Sequence, residues 1–289
     1  MSTPLIKLRS PEGSHLFAKL ESANPTGSIK DRPALSMMTD ALERGLIKPQ
    51  SKIIEATSGN TGIALAALSL REEISLTVVV PDNVTHERVD LLRLLGAEIV
   101  FSPGEGGSNG AVALADQMAE DDPSFFQLDQ YRNPANPLAH ETGTGPEIIL
   151  GLGGHFPDAF VAGLGTGGTL MGCSRAFAGE TEIIAVEPYP GESLGGLRSL
   201  EGGFIPPLLD LSLLDGKKLV SNEQAIGGVH WLLSQGIWAG LSSGAIASTA
   251  YRRAKEKGGV VVFIVCDDGW RYRESGLYSG DLDPNISYW

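Results

Sequence analysis

Cysteine is scarce in this sequence. Cys173 and Cys266 are the two cysteines in 289 residues, and neither belongs to a CxxC pair or lies near a histidine. A disulfide framework needs several paired cysteines, and a zinc site needs clustered Cys or His ligands. The sequence therefore indicates neither a disulfide-stabilised domain nor a metal site, and we expect both cysteines to be buried, reduced thiols.

Basic residues are also few: 22 Lys and Arg stand against 35 Asp and Glu, for a formal net charge of -13. Nonspecific binding to nucleic acid or to an anionic membrane needs clustered Lys and Arg, so we expect neither as a partner. No uncharged apolar run reaches the roughly 18 residues that span a bilayer, and the first residues lack the pattern of a secretory signal. The cytoplasm is therefore the expected location.

The composition that is present, 42% hydrophobic and 20% charged residues, is typical of a globular protein. The chain exceeds the usual domain size of about 100 to 200 residues, so we expect two lobes. Short apolar runs bounded by turn residues predict strands at Lys52–Ala56, Leu76–Val80, Glu98–Phe101, Ala159–Gly163, Glu182–Glu187 and Gly259–Val265. Their alternation with helix-length segments indicates an α/β fold with mostly parallel sheets flanked by helices.

The segments between these runs predict helices at Asp31–Arg44, Thr61–Arg71, His86–Leu95, Ser108–Glu120, Thr169–Ala178, Asn222–Gln235 and Gly244–Lys257. The most turn-like interior stretch is Arg132–Pro137, where two prolines restrict the residues before them. We therefore expect lobes at residues 1–136 and 137–289, with residues 1–34 packed in part on the second lobe. A second irregular stretch, Pro188–Leu219, exceeds usual loop lengths and is either a functional loop or a surface excursion.

A turn-rich segment, Asn24–Arg32 (NPTGSIKDR), places Lys30 at the start of a predicted helix. A lysine at a helix N-terminus experiences an unfavourable macrodipole, and partial burial adds to the effect, so the pKa of its amine is expected to fall. A free amine can form a Schiff base, which makes Lys30 a candidate nucleophile. Most lysines are instead solvated surface residues, and that alternative applies here as well.

Two further segments follow predicted strands and open helices. Glu55–Gly62 (EATSGNTG) can direct backbone N–H groups at a carboxylate, although Ser, Asn and Thr are equally common as plain N-caps. Gly163–Thr169 (GLGTGGT) can hold a phosphate in the same way. It also satisfies GxGxxG, with Glu187 about 20 residues further on, as in a dinucleotide-binding βαβ unit. On these residues alone, a nicotinamide dehydrogenase stays open as an alternative.

Taken together, four segments resemble the cysteine synthase family in order and approximate separation: Asn24–Arg32, Glu55–Gly62, Gly163–Thr169 and Gly240–Ala245 (GLSSGA). The resemblance covers nearly the whole chain. It implies a fold type II pyridoxal 5′-phosphate (PLP) enzyme, similar in fold to the tryptophan synthase β subunit. It favours PLP as the cofactor, because binding of a dinucleotide would leave the Lys30 segment without a role.

The resemblance implies a role for each matching residue. Lys30 would form the Schiff base with PLP and act as the catalytic base, Asn60 would bind the phenolic oxygen, and Ser242 would meet the pyridine nitrogen. The cofactor phosphate would be held by Gly165, Thr166, Gly167, Gly168 and Thr169. The substrate α-carboxylate would be bound by Thr57, Ser58, Thr61 and Gln130.

The implied reaction is a β-replacement, in which an O-activated L-serine loses its β-substituent and a sulfur nucleophile adds, giving L-cysteine or a cysteinyl product. A hydroxyl at Ser242, in place of a carboxylate, favours β-elimination over transamination or racemisation. A serine or threonine dehydratase would use the same scaffold without adding a nucleophile. A non-catalytic binding protein is a further alternative, which the presence of Lys30 and Asn60 disfavours.

Within the family, the chain is most similar to B-type actinobacterial enzymes that use O-phospho-L-serine, through Glu105–Asn109, Phe160–Gly165, Leu197–Arg198, Asp268–Trp270 and Tyr278–Gly280. Those enzymes take sulfur from a small thiocarboxylated carrier protein, with sulfide as the alternative donor. Arg198 would clamp the substrate phosphate. The alternative role for Arg198 is that of a surface arginine paired with Glu201. The alternative function for the enzyme is that of an O-acetyl-L-serine sulfhydrylase.

The resemblance also implies a homodimer. We expect the tail ending in Ser287–Trp289 either to close over the site or to fray.

Overall fold

The structure is a computed structural model that describes residues 2–57, 59–84, 86–192 and 194–275. Its strands are β1 (Leu5–Leu8), β2 (Ser14–Leu20), β3 (Lys52–Ala56), β4 (Ser75–Pro81), β5 (Glu98–Ser102), β6 (Phe125–Gln127), β7 (Ala159–Gly163), β8 (Glu182–Pro188), β9 (Gly216–Val220) and β10 (Gly259–Val265). Its α-helices are α1 (Asp31–Glu43), α2 (Asn60–Arg71), α3 (His86–Leu94), α4 (Gly107–Asp121), α5 (Ala135–Ala139), α6 (Gly145–Gly151), α7 (Gly168–Phe177), α8 (Asn222–Ser234) and α9 (Leu241–Lys257). This alternation of strands and helices confirms the predicted α/β class.

Internal contacts divide the chain into two units. Lys30–Asn136 form the smaller unit, and the described residues on either side of that segment form the larger one. The boundary expected from the sequence also falls after Asn136, and the residues before Lys30 group with the later part of the chain. That either unit is an independent domain stays a prediction.

The larger unit contains a six-stranded sheet in the order β1-β2-β10-β7-β8-β9, in which β1 and β2 pair antiparallel and the other neighbours pair parallel. The central strand β7 is buried on both faces. Val161 packs with Phe263 on one face, and Phe160 packs on the other, where its ring centroid lies 5.4 Å from that of Phe177. This two-sided burial explains why β7 is an uninterrupted apolar run in the sequence.

The smaller unit contains a four-stranded parallel sheet in the order β5-β4-β3-β6. Ile53 of β3 packs with Met37 of α1 on one face, and Ile54 packs with Ala115 of α4 on the other. Because parallel strands end at the same edge of a sheet, the loops that follow β3 and β6 are neighbours. This edge carries most of the candidate residues of the smaller unit.

All six strands predicted from the sequence are present, and β3, β7 and β10 have the predicted bounds. The prediction missed β1, β2, β6 and β9. The Pro188–Leu219 stretch is not irregular throughout, because β9 begins at Gly216. Two lysines in β9 interrupt the apolar pattern that predicts a strand. They are tolerated there because β9 lies at the edge of the sheet, where side chains can reach solvent. Arg132–Pro137 is likewise not all turn: α5 begins at Ala135, and a proline is tolerated in the first turn of a helix.

Within the described ranges, no helix is both long and apolar enough to cross a membrane. The same ranges contain no group of three or more His, Cys, Asp or Glu residues arranged to hold a metal ion. Cys173 is buried, as expected. Cys266 is partly exposed, contrary to expectation, because it lies just past the end of β10, where the packing of the sheet ends.

Candidate active site

Lys30 occupies the N-cap of α1, and its side chain is half-buried. The backbone just before it is held by the segment that follows β10. The N–H of Ile29 donates to the carbonyl of Cys266 at 2.8 Å, and Ser28 forms an antiparallel bridge with Asp267. Lys30 therefore lies at a helix N-terminus, directly after a hydrogen-bonded turn, as the NPTGSIKDR segment predicted.

Asn60 begins α2, directly after the loop that leaves β3. Gly59 is the N-cap, and its N–H donates to the hydroxyl of Thr57 at 3.3 Å. The N–H of Thr57 donates to the carbonyl of Val79 on β4 at 3.1 Å, which fixes the loop to the sheet. Since α1 and α2 pack against each other, the helices headed by Lys30 and Asn60 are neighbours.

Thr61 and Gln130, which were predicted to bind the same carboxylate, are in direct contact. The hydroxyl of Thr61 donates to Oε1 of Gln130 at 2.8 Å, and both side chains are buried. Nε2 of Gln130 donates to the carbonyl of Ala56 at 3.4 Å. Tertiary folding thus places Gln130 beside the N-terminus of α2. Ser58, predicted to act with them, lies outside the described residues.

Glu55 is a buried carboxyl group that was not among the predicted site residues. It is 2% exposed at the end of β3, where Oε2 accepts the N–H of Asp129 at 2.9 Å and Oε1 accepts the N–H of Gln130 at 3.3 Å. Burial raises the pKa of Glu55 from 4.5 to about 8, although the N–H of Gln130 opposes the rise. The available signal was an acidic residue inside an apolar strand, a placement that is rare without a partner.

The Gly163–Thr169 loop leads from β7 into the N-terminus of the ten-residue helix α7. Gly167 has a φ of +86°, a left-handed conformation that glycine adopts without strain. A Cβ on Gly165 would lie 3.1 Å from the carbonyl oxygen of Gly196, which leaves little room for a side chain. The backbone itself therefore lines the loop, as it does where a phosphate binds at a helix N-terminus.

Two threonines of this loop have polar partners. The hydroxyl of Thr166 accepts the N–H of Gly168 at 3.3 Å. The hydroxyl of Thr169 lies 3.3 Å from Nε2 of His140, whose Nδ1 lies 2.9 Å from the hydroxyl of Thr144. His140 is buried in a short π-helix, His140–Thr144. His140 was not among the predicted site residues, because its contact with Thr169 joins residues 29 positions apart and no local pattern signals it.

Ser242 is buried in the first turn of α9. Gly196 lies beside it, since a Cβ on Gly196 would be 3.9 Å from the Ser242 hydroxyl oxygen. The N–H of Arg198 donates to the carbonyl of Leu164 at 2.7 Å, and its guanidinium lies over the ring of Phe204, 4.8 Å from the centroid. The larger unit therefore brings together the glycine-rich loop, Ser242 and the segment that carries Arg198.

Glu187, the carboxylate that a dinucleotide site would use, is fully buried. Its Oε2 accepts the N–H of Leu200 at 2.8 Å, and its Oε1 lies 2.7 Å from Nζ of Lys217. A carboxylate that binds the ribose of a dinucleotide has to face the cofactor. Because one oxygen of Glu187 accepts the N–H of Leu200 and the other pairs with Lys217, the structure opposes the dinucleotide interpretation of GxGxxG.

Comparison with known proteins identifies the family. The model of a family described as "Pyridoxal-phosphate dependent enzyme" matches residues 1–267. The cysteine synthase of Staphylococcus aureus (strain Mu50 / ATCC 700699) is 40% identical over 295 residues, covering 96% of this chain and 95% of the relative. Cysteine synthase B of Escherichia coli (strain K12) is 41% identical over 285 residues, covering 96% and 93%. The solved structure of O-ureido-L-serine synthase matches with a TM-score of 0.90 and 36% identity, covering 99% of this chain and 94% of that one. The chain therefore belongs to the pyridoxal-phosphate dependent enzymes of fold type II, and its cofactor is PLP.

Proposed function

We propose that this enzyme makes L-cysteine, or a cysteinyl product, by β-replacement on O-phospho-L-serine with a sulfur donor. The general activity, PLP-dependent β-replacement on a serine derivative, is supported by the relatives, which are cysteine synthases and an O-ureido-L-serine synthase. The observation that carries the choice of phosphoserine is the position of Arg198. Its backbone is hydrogen-bonded to Leu164, within the loop that would bind the cofactor phosphate.

The residues of the larger unit fit a bound cofactor. The loop of Gly165, Thr166, Gly167, Gly168 and Thr169 lies at a helix N-terminus, has little room for a side chain at Gly165, and would hold the phosphate. Ser242 would meet the pyridine nitrogen. In the smaller unit, Asn60 would bind the phenolic oxygen, and Lys30 would attach the cofactor covalently. When bound, PLP supplies an electron sink for the charge that develops at the substrate Cα.

Lys30 would move the proton in this reaction. Its amine, once displaced by the substrate, would take the proton from Cα as general base and return it to Cα after sulfur has added at Cβ. The α-carboxylate would be oriented by Thr57, Ser58, Thr61 and Gln130. The neutral hydroxyl of Ser242 favours loss of the β-substituent over transamination.

Arg198 would distinguish the two activated serines. A guanidinium can donate two parallel hydrogen bonds to a phosphate dianion, whereas an acetyl ester presents no such charge. The ring of Phe204 lies against the Arg198 guanidinium and limits the orientations of its plane. An O-acetyl-L-serine sulfhydrylase, the alternative function, would need no cation at this position.

The remaining parts of the proposal come from the family resemblance. Sulfur would come from sulfide or from a small thiocarboxylated carrier protein, and the enzyme would work as a homodimer. The Tyr278–Gly280 segment, which helped to indicate the subtype, and the tail ending in Ser287–Trp289, which we expected either to close over the site or to fray, lie outside the described residues.

The test measures cysteine formation by the PLP-loaded enzyme, with sulfide and either O-phospho-L-serine or O-acetyl-L-serine. Arg198→Ala should lower kcat/KM for phosphoserine by about 100-fold and for acetylserine by less than about 3-fold, because one charge-assisted contact is lost with the first substrate alone. Glu201→Ala is the matched control and should leave the ratio of the two kcat/KM values unchanged.

Three other outcomes would change the assignment. Equal losses with both substrates would remove Arg198 from the site. Turnover of acetylserine alone would reverse the choice of substrate. Formation of pyruvate without cysteine would favour a dehydratase.

A further inference from the structure

The turn that carries Gln130 is held in an unfavourable backbone conformation. It follows the short strand β6, and Asp129 has a φ of +52°, in the left-handed region that non-glycine residues seldom occupy. Such a conformation persists when surrounding contacts determine it, and it is found frequently at functional sites. The contacts that hold this turn therefore bear on where the Gln130 side chain lies.

Glu55 supplies two of these contacts. It stands at the carboxyl end of β3, which pairs with β6 through Ile54 and Gln127, so its side chain reaches the backbone just beyond β6. Each oxygen of its carboxyl group accepts one backbone N–H, from Asp129 at 2.9 Å and from Gln130 at 3.3 Å. A buried carboxyl group that accepts an N–H at each oxygen fixes both peptide units at once.

The Gln130 side chain is then held by α2 and by the last residue of β3. Oε1 accepts the hydroxyl of Thr61 at 2.8 Å, and Nε2 donates to the carbonyl of Ala56 at 3.4 Å. The carbonyl of Gln130 accepts Nδ2 of Asn136 at 2.7 Å. Glu55, Gln130 and Thr61 therefore form one connected set of hydrogen bonds that ends at the N-terminus of α2.

We propose that Glu55 is a positioning residue: by accepting the N–H groups of Asp129 and Gln130, it fixes the Gln130 amide beside Thr61 and so sets the affinity for the α-carboxylate of the amino-acid substrate. This inference rests on the proposed function, in which Gln130 and Thr61 bind that carboxylate. Glu55 itself does not touch the substrate. Its influence is transmitted through the backbone of the turn.

Glu55→Gln tests the inference with a side chain of the same shape. An amide has one acceptor oxygen, and its NH2 group would face a backbone N–H, so one of the two hydrogen bonds is lost. In the PLP-loaded enzyme, the KM for the amino-acid substrate should rise about 10-fold, while kcat changes by less than about 3-fold. Glu98→Gln, on β5 of the same sheet, is the matched control and should leave KM unchanged.

A double-mutant cycle with Gln130→Ala separates positioning from a general loss of stability. Once the Gln130 side chain is absent, Glu55→Gln should raise KM by less than about 2-fold, because the group it positions is gone. Fully additive effects would overturn the inference, as would an unchanged KM in the single variant. If Glu55→Gln does not fold, Glu55→Asp takes its place in the same cycle, because the shorter side chain cannot reach both N–H groups.

Failure of the proposed function would be distinguishable. A wild-type enzyme that converts no O-activated serine would overturn the function, yet the positioning would still be measurable by amide hydrogen exchange. Glu55→Gln should speed exchange of the Asp129 and Gln130 amides by about 10-fold, because one of the two N–H groups loses its acceptor and the turn gains mobility. Unchanged exchange at both amides would refute the role of Glu55.

Discussion

The carboxylate of Glu187 accepts a 2.8 Å hydrogen bond from the backbone N–H of Leu200, two residues beyond Arg198. The N–H of Arg198 itself donates to Leu164 at 2.7 Å. The segment with Arg198 is therefore attached at one point to the glycine-rich loop and at another to β8. A residue suited by its spacing to bind a ribose instead holds a loop in place.

Glu187→Gln should destabilise the protein and loosen the Arg198 segment. The amide carries no charge to pair with Lys217 and has one acceptor oxygen in place of two, so we expect the free energy of unfolding to fall by about 1 to 3 kcal/mol. The preference for phosphoserine over acetylserine should also decline. Urea denaturation and the ratio of kcat/KM values measure the two effects. Glu256→Gln, an exposed change on α9, should stay within about 0.5 kcal/mol of wild type, and an equal effect there would contradict the prediction.

Lys30→Ala should abolish covalent attachment of PLP while leaving the fold intact. Loss of the general base alone should lower kcat by about 10²- to 10⁴-fold. The visible absorption band of the purified protein should disappear after dialysis, and the far-ultraviolet circular dichroism should match wild type. Lys48→Ala, at an exposed position of the same unit, should keep both colour and activity. A coloured, active Lys30→Ala enzyme would show that another residue is the nucleophile.

Lys19→Met should strongly destabilise the larger unit. Nζ of Lys19, which is 1% exposed, donates to Oε2 of Glu147 and to the carbonyl of Thr3, both at 2.6 Å. Removing the ammonium leaves the carboxylate of Glu147, which is 17% exposed, without this cation, at a cost of about 1 to 3 kcal/mol. Urea denaturation measures the loss, and the exposed Lys7→Met on β1 is the control. Equal stability of the two variants would contradict a structural role for the pair.

The raised pKa of Glu55 predicts a pH dependence of stability. Between its ordinary pKa of 4.5 and about 8, the folded protein keeps a proton at Glu55 that the unfolded chain has released. The stability that this proton contributes is complete below 4.5, declines as pH rises, and stops declining above about 8.

Glu55→Gln removes this titration but leaves the nearby Asp129 and Asp116 in place. The free energy of unfolding of wild type, relative to the variant, should therefore fall between about pH 5 and about pH 8.5, by an amount on the order of a few kcal/mol. Urea denaturation at several pH values measures the difference. Parallel curves for the two proteins would mean that Glu55 is not protonated in the folded state at neutral pH.

Much of the fold could be predicted because its signals are local. An apolar run such as Ala159–Gly163, followed by a glycine-rich turn and a helix, specifies a strand, a loop and a helix N-terminus within about a dozen residues. The cofactor predicted from these segments is confirmed by the family, as is the enzyme class. Strands without such a run, among them the edge strand β9 with its two lysines, escaped prediction because their stability comes from pairing with a neighbour.

The amino-acid sequence by itself determined the α/β class and the position of Lys30 at a helix N-terminus, because contiguous residues encode both. Tertiary structure alone decided that Glu187 binds Leu200 and that Thr61 meets Gln130, which is 69 residues away. It also placed Glu55 against a turn 75 residues further along. These contacts arise when parallel strands align their carboxyl ends at one edge of a sheet, and no local pattern of residues specifies which loops will then be neighbours.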